Sequence, residues 1–417
     1  VSDLPRRAVI TGIGALTPVG LSTSETWAGL LAGRSGVRRL TRFDASPFPV
    51  RIAADVQGFD PLRVMSRKRA RRTARFAQLA VAASEEALRD AGLSLAPETQ
   101  ERTGVTIATA LGGVDALDLE APRLRGGAPG RVTPLLLPLL IANMAASAVS
   151  IQFGIRGPSN TSVGACASGA IALMEALRWI QTGEADYVLA GGTEAALTPS
   201  VWAALCSLGA LSKRNDAPEA ASRPFDRDRD GFVYGEGAVV FVVEREDLAR
   251  RREARVYAEL AGAAMTSDAF HETAPRPDGD VAARAMRLAL ADAGASAHDV
   301  DLVVAHGTGT PLNDIAETVA IKQALGARAR TVAVSAPKSM VGHLIGAAGA
   351  LAALVGVLAI RDGAIPPTIN LDHPDPSCDL DYVPLRARRA PVRLALANAF
   401  GFGGQNCVVA VRAMPAR

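Results

Sequence analysis

Cysteine is scarce in this 417-residue chain: it stands only at positions 166, 206, 378 and 407, with no CxxC pair and no regular spacing. That excludes a disulfide framework and a cysteine-based zinc module, and fits a reducing compartment. Aromatic residues are few as well, 4% of the chain, while Gly and Ala abound. The core must therefore be built from small side chains at close approach rather than from large rings. A net charge of +3 is too small to suggest a nucleic-acid partner for the whole chain. The opening VSDLPRR holds no apolar stretch of the kind a signal peptide needs.

Two long uncharged runs, 133–153 and 344–360, invite comparison with membrane spans. The first is interrupted by Pro134, Pro138, Asn143 and Gln152, and the second is Gly/Ala-rich and follows a strand directly. Both are expected to be helices buried all round inside a large protein. The expected location is the cytoplasm, with no membrane contact.

Strand-type runs at 8–11, 104–108, 186–190, 301–305 and 331–335 alternate with helical patterns at 74–91, 168–182, 281–293 and 315–325. Apolar strands between helices indicate a sheet covered on both faces, an α/β class. The chain also echoes itself. FVYGEGAVVFVV from Phe232 and FGFGGQNCVVAV from Phe400 both run from a glycine turn into a Val-rich strand, as a hairpin would, and an opening strand occurs at 7–12 and again at 255–262. Two related halves, 1–253 and 254–417, are expected to share one core without a flexible linker.

Cys166 lies in SVGACASGAIALM, where tiny residues precede a long helical pattern. A thiol at such a strand-to-helix turn meets unpaired backbone N–H groups and the positive end of the helix dipole, which favour the thiolate. Gly164 and Gly169 leave room for a substrate to approach, the logic of a nucleophile elbow. The competing reading is a buried cysteine acting as a small hydrophobe, and that reading is kept for Cys206, Cys378 and Cys407. Of the five histidines, His306 in VVAHGTGT and His343 in KSMVGH both sit at strand ends, where α/β sheets place ligands. His298 reads as solvated and His373 as a turn residue, while the loop of His271 could face solvent or the site. The glycines of FGFGG, 400–404, either free Phe402 to move and offer a backbone N–H opposite that of Cys166, or simply make a hairpin turn.

Taken together and in order, GACASG, HGTGTPLND, KSMVGH and FGFGG, with RPFD at 223–226, closely resemble the β-ketoacyl-acyl carrier protein synthases of the KAS II type, over essentially the whole chain. The resemblance implies a thiolase-like five-layered αβαβα fold made of two βαβαβαββ halves, the first carrying the nucleophile and the second both histidines. It implies a decarboxylating condensation that extends acyl chains in fatty-acid synthesis. Cys166 is then the acylated nucleophile, His306 and His343 the decarboxylation pair, and Lys338 a structural lysine paired with Glu317. Thr308 and Thr310 would bind the phosphopantetheine arm. Phe402 would be gatekeeper and oxyanion donor, with Phe400 and Gly401 beside it. Leu111 matches an acyl-pocket gate position that is commonly Ile. No cofactor or metal is expected on the enzyme; substrates arrive on the phosphopantetheine arm of acyl carrier protein.

A basic run, 63–75, is read in three ways: a solvated helix face, a nucleic-acid contact without the usual aromatic interleaving, or a docking patch for an acidic carrier protein. The resemblance favours the third, with Arg67, Lys68, Arg69 and Arg72 as candidates and Arg214 joining them. A homodimer is expected, with a heterodimer on a chain-length factor as the variant. Leucines at 135–140 and Leu111 keep open a catalytic ketosynthase subunit of a type II polyketide or polyene pathway. A thiolase, which uses a second cysteine before its C-terminal glycine turn, is disfavoured because Cys407 falls after that turn. A non-catalytic chain-length factor is disfavoured by the presence of Cys166, His306 and His343 together.

Overall fold

Among residues 6–415, which the computed structural model describes, ten strands hydrogen-bond into one sheet. The first five are β1 (Ala8–Leu16), β2 (Thr103–Ala108), β3 (Ser159–Asn160), β4 (Tyr187–Glu194) and β5 (Gly237–Arg245). The second five are β6 (Ala258–Ser267), β7 (Leu302–Val304), β8 (Ala333–Ser335), β9 (Leu394–Gly401) and β10 (Gln405–Arg412). From the centre outward the order is β1-β5-β4-β2-β3 on one side and β6-β10-β9-β7-β8 on the other, so each half repeats the other strand for strand. Directions repeat too. β4, β2 and β3 run parallel, as do β9, β7 and β8; β5 and β10 are antiparallel to both neighbours. The halves join where β1 pairs antiparallel with β6 through Ala8–Ile10.

Six helices complete the repeat. They are α1 (Arg75–Ala91), α2 (Met144–Phe153), α3 (Ser168–Thr182), α4 (Asp280–Asp292), α5 (Pro311–Leu325) and α6 (Ala348–Asp362). Each half is thus βαβαβαββ. Helices α1 and α2 cover one outer face and α4 and α5 the other, while α3 and α6 pack on each other between the two wings of the sheet. That makes five layers, α-β-α-β-α.

The central pair explains the composition. Every residue of α6 from Ala348 to Ala359 is buried, although the helix with its preceding turn, Ile345–Asp362, is long and apolar enough to span a membrane. A Cβ placed on Gly349 would lie 2.6 Å from the Ala170 backbone nitrogen, and one on Gly169 would lie 2.9 Å from that of Ala350. The helices therefore cross backbone to backbone at a reciprocal glycine pair, and larger side chains there would overpack the core.

Three expectations need correction. The 133–153 run is not one buried helix: a first piece covers only Leu136–Leu140, with Pro138 in its first turn, the chain is extended at Ile141, and α2 follows. Its leucine face is open to solvent, with Leu137 at 65% and Ile151 at 69% exposure. The segment before β5 is no hairpin, because β4 and β5 are separated by residues 195–236; only β9–β10 turn tightly. Lastly, Cys166 is preceded by a two-residue strand and a loop, not by an apolar strand.

Candidate active site

Cys166 occupies a 3₁₀ turn, Ala165–Ala167, that opens α3. Ala165 holds a left-handed φ of +47°, a conformation that costs a non-glycine residue of order 1–3 kcal/mol and that clusters at functional sites. The backbone N–H groups of Phe402 and of Cys166 itself lie beside the sulfur and favour its ionised form. The close approach needs Gly401, where a Cβ would lie 3.2 Å from the Cys166 nitrogen. Backbone N–H groups at this turn are the donors available to an oxyanion formed next to the sulfur. The thiol itself is not the expected low-pKa group: burial pushes it up to about 11, against the pull of Lys338 and of these N–H groups. The resting site holds a neutral thiol.

His306 follows β7, and its backbone N–H and that of Gly307 donate to the two oxygens of Glu317 at 2.8 and 2.7 Å. Asn398 of β9 donates a third hydrogen bond to Glu317 at 3.0 Å. Lys338 Nζ donates to the His306 carbonyl and lies 3.4 Å from its Nδ1. The expected Lys338–Glu317 pair is therefore indirect. Glu317 spends its oxygens on the loop that carries His306, and it acts on Lys338 only through its charge. Burial pulls Lys338 down to about 8, with Glu317, Cys166 and Asp314 opposing.

The His306 and His343 rings lie nearly perpendicular with centroids 5.3 Å apart. Both are buried, and burial followed by the charge of Lys338 pulls both well below the ordinary histidine range, so both are neutral near pH 7. Nδ1 of His343 accepts the Ile345 N–H at 3.1 Å, which leaves the proton on Nε2. That Nε2 is buried with no partner in the protein. With Lys338 donating toward Nδ1 of His306, both rings present Nε2–H groups as donors. Phe400 packs 5.8 Å from the His306 ring and Phe232 5.4 Å from that of His343.

Thr308 is buried and its hydroxyl lies 3.0 Å from that of Thr310, which also caps α5 through the Asn313 N–H. Phe402 is 39% exposed and Leu111 41%. His271, His298 and His373 are exposed and lie outside the cluster; Nδ1 of His271 accepts two N–H groups of its own turn. Cys378 and Cys407 are buried and Cys206 half-buried. Cys407 sits inside β10 opposite Ala399, in the sheet rather than at the site. In the basic run, Arg67, Lys68 and Arg72 are exposed. Two of the five docking candidates are committed elsewhere: Arg69 donates to the Ala148 carbonyl at 2.7 Å, and Arg214 to that of Asp228, also at 2.7 Å. Among the described residues no three His, Cys, Asp or Glu side chains group to hold a metal ion.

Sequence reasoning overlooked Glu194, the last residue of β4. It is fully buried and accepts from Thr109 Oγ1 (3.0 Å), Leu111 N (3.4 Å), Ala110 N (2.8 Å) and Gly346 N (3.1 Å). Burial pushes it up to about 7. An acid ending an otherwise apolar strand, in Gly191-Gly-Thr-Glu194, was the available signal.

A doubled half-fold with a strained cysteine turn beside two neutral imidazoles defines a thiolase-like condensing enzyme. Its kin are specific. Residues 6–249 match the β-ketoacyl synthase N-terminal domain and residues 257–372 the C-terminal domain. The chain is 47% identical over 407 residues, 98% of each chain, to 3-oxoacyl-[acyl-carrier-protein] synthase 2 of a Synechocystis species. Among solved structures it is similar to the ishigamide ketosynthase/chain length factor (38% identity, TM-score 0.91, 99% of this chain and 100% of that one). It is also similar to a chain from a type II polyketide synthase complex of acyl-carrier protein with its ketosynthase bound to the hexaketide (35% identity, TM-score 0.90, 99% and 100%). The chain belongs to the β-ketoacyl synthase family and is an acyltransferase.

Proposed function

We propose that this enzyme lengthens acyl chains on acyl carrier protein in fatty-acid synthesis, by decarboxylative condensation with a malonyl thioester. The observation that carries the proposal is the pair of neutral imidazoles, rings 5.3 Å apart with their Nδ1 atoms engaged by Lys338 and the Ile345 N–H, next to the buried Cys166 turn that Lys338 also acts on. In the first half-reaction the Cys166 sulfur attacks the acyl thioester carbonyl. The oxyanion is held by the N–H groups of Cys166 and Phe402, the bond to the phosphopantetheine sulfur breaks, and the thiol proton leaves with that sulfur.

In the second half-reaction the malonyl C–C bond to the carboxylate breaks and CO₂ departs. The enolate oxygen accepts from Nε2–H of His306 and His343. The carbon attacks the acyl-cysteine, the C–S bond breaks, and the sulfur regains a proton from solvent. Neutral imidazoles already protonated at Nε2 donate without offering a base, which disfavours simple hydrolysis of the acyl enzyme. Lys338 fixes His306, Glu317 shapes its loop, and Thr308 and Thr310 hold the phosphopantetheine arm. Phe400, Gly401 and Phe402 form the mobile wall, and Leu111 borders the acyl pocket. No bound cofactor is needed.

Arg67, Lys68 and Arg72 are the proposed carrier-docking residues; the complex of a ketosynthase with its acyl-carrier protein in a similar structure supports such a partner. The exposed face with Leu137, Ile141 and Ile151 is the proposed seat of a second copy, giving a homodimer in the cytoplasm. A type II polyketide role, with a chain-length factor on that face, is favoured by the leucines at 135–140 and by the similar ketosynthase/chain length factor. Mass spectrometry of the acyl group trapped on Cys166 from a series of acyl carriers decides. A ladder of saturated chains supports fatty-acid synthesis, confinement to polyketide intermediates supports the second role, and no acyl group on Cys166 refutes both.

A further inference from the structure

The internal symmetry of the fold singles out a second turn. Ala165 and Ile345 stand at matching places, each the first residue of a 3₁₀ turn that opens a central helix, and each has a left-handed φ, +47° and +46°. Gly346 is thus the counterpart of Cys166. In the first half the backbone N–H groups of Phe402 and Cys166 lie beside the reacting sulfur. In the second half the matching N–H, that of Gly346, is already occupied by the carboxylate of Glu194. Glu194 ends β4 as Gly401 ends β9, and these two strands are themselves counterparts.

We infer that the Glu194 carboxyl group fills the second-half counterpart of the oxyanion pocket, and that it acts as a positioning residue coupling the acyl-pocket rim to His343. One of its oxygens takes the N–H groups of Ala110 and Gly346 together; the other takes the Thr109 hydroxyl and the Leu111 N–H. The carboxylate therefore ties the segment bearing Leu111 to the turn whose Ile345 N–H sets the His343 tautomer. The tie needs close approach: a Cβ on Gly346 would lie 2.8 Å from the carboxylate and 2.6 Å from the Ala110 nitrogen. Buried backbone donors left without an acceptor are unfavourable, so these four groups hold one arrangement while the carboxylate is present.

The inference rests on the condensing reaction proposed above, and it predicts a graded split between half-reactions. In Glu194→Gln, the amide oxygen can keep Ala110 and Gly346 while the amide nitrogen faces Thr109 Oγ1 and loses Leu111. The histidine turn stays and the pocket rim loosens. Glu194→Ala releases both. The measurement follows two rates in each protein: acylation of Cys166 across a series of acyl-chain lengths, and CO₂ release from malonyl carrier protein. The wild-type rates test the reaction itself, since absence of both would sink that reading alone.

The ratios of variant to wild type test the inference. For Glu194→Gln we expect CO₂ release within about twofold of wild type, with acylation changed at least fivefold in a chain-length-dependent way. For Glu194→Ala we expect both rates to fall at least tenfold, and ¹⁵N-histidine spectra to show the His343 tautomer mixed. If Glu194→Ala fails to fold, the Gln variant still decides. Gln rates equal to wild type at every chain length, or acylation and CO₂ release lowered equally, would overturn the coupling.

Discussion

The Ile345 backbone N–H donates to Nδ1 of His343 at 3.1 Å, and that one bond decides which ring nitrogen carries the proton. It turns a residue able to be a base into a committed donor, with a buried Nε2 that has no partner in the protein. Removing a donor of this kind from an oxyanion site costs about 10²–10³ in rate. His343→Ala, and likewise His306→Ala, should lower CO₂ release from malonyl carrier protein by that factor while slowing acylation of Cys166 much less. Stopped assays of each half-reaction check this; a larger loss in acylation would reassign the histidines.

The pH profile follows from the same burial. Both imidazoles lie well below their ordinary range, so decarboxylation should persist below pH 6.5 without a histidine limb. Lys338, pulled down from 10.5 to about 8, loses its proton and its hold on His306 above that value. Decarboxylation should therefore decline above about pH 8. Stability moves the other way: between about pH 8 and 10.5 the unfolded chain binds the lysine proton and the folded chain does not, so this group's contribution to stability rises with pH. Opposite trends in rate and in unfolding midpoint separate the effect from denaturation. Over the same range, alkylation of Cys166 should accelerate with pH and show no plateau, because burial pushes the thiol up to about 11.

Charge reversal at Arg67, Lys68 and Arg72 should raise KM for acyl carrier protein by about tenfold at low salt and less at high salt, with kcat kept. Arg69→Ala should behave differently. Its bond to the Ala148 carbonyl ties the basic segment to α2, so its loss should cost about 1.5–3 kcal/mol of stability, measured by urea unfolding.

Leu137→Asp and Ile151→Asp place charges on the open apolar face. Sedimentation should show a dimer for the parent protein and monomer for the variants. A monomeric parent that associates only with a second chain would replace the homodimer with the heterodimer.

The doubled α/β fold was legible because the apolar periodicity of α1, α3 and α4 is strong and the opening strands recur. The site was legible where rare residue types meet glycines, as at Cys166, His306 and His343. Three features were hidden for physical reasons. The 133–153 run has the composition of a core helix, but Leu137, Ile141 and Ile151 are exposed, and composition does not distinguish an exposed apolar face from a buried one. The thiol's upward shift comes from burial by the second half of the chain, which no local motif around Cys166 displays. Glu194 acts through four backbone and hydroxyl donors gathered from two distant segments, and backbone donors leave no residue-type signature.

The most direct measurement loads Cys166 with an acyl group, removes free acyl carrier, and adds malonyl carrier protein while CO₂, product and intact protein mass are followed together. The account predicts that the acyl mass leaves Cys166 as one CO₂ and one β-ketoacyl carrier appear for each acyl group lost. CO₂ released while the acyl group stays on the sulfur, or acyl mass carried on another residue in Cys166→Ala with condensation continuing, would contradict it.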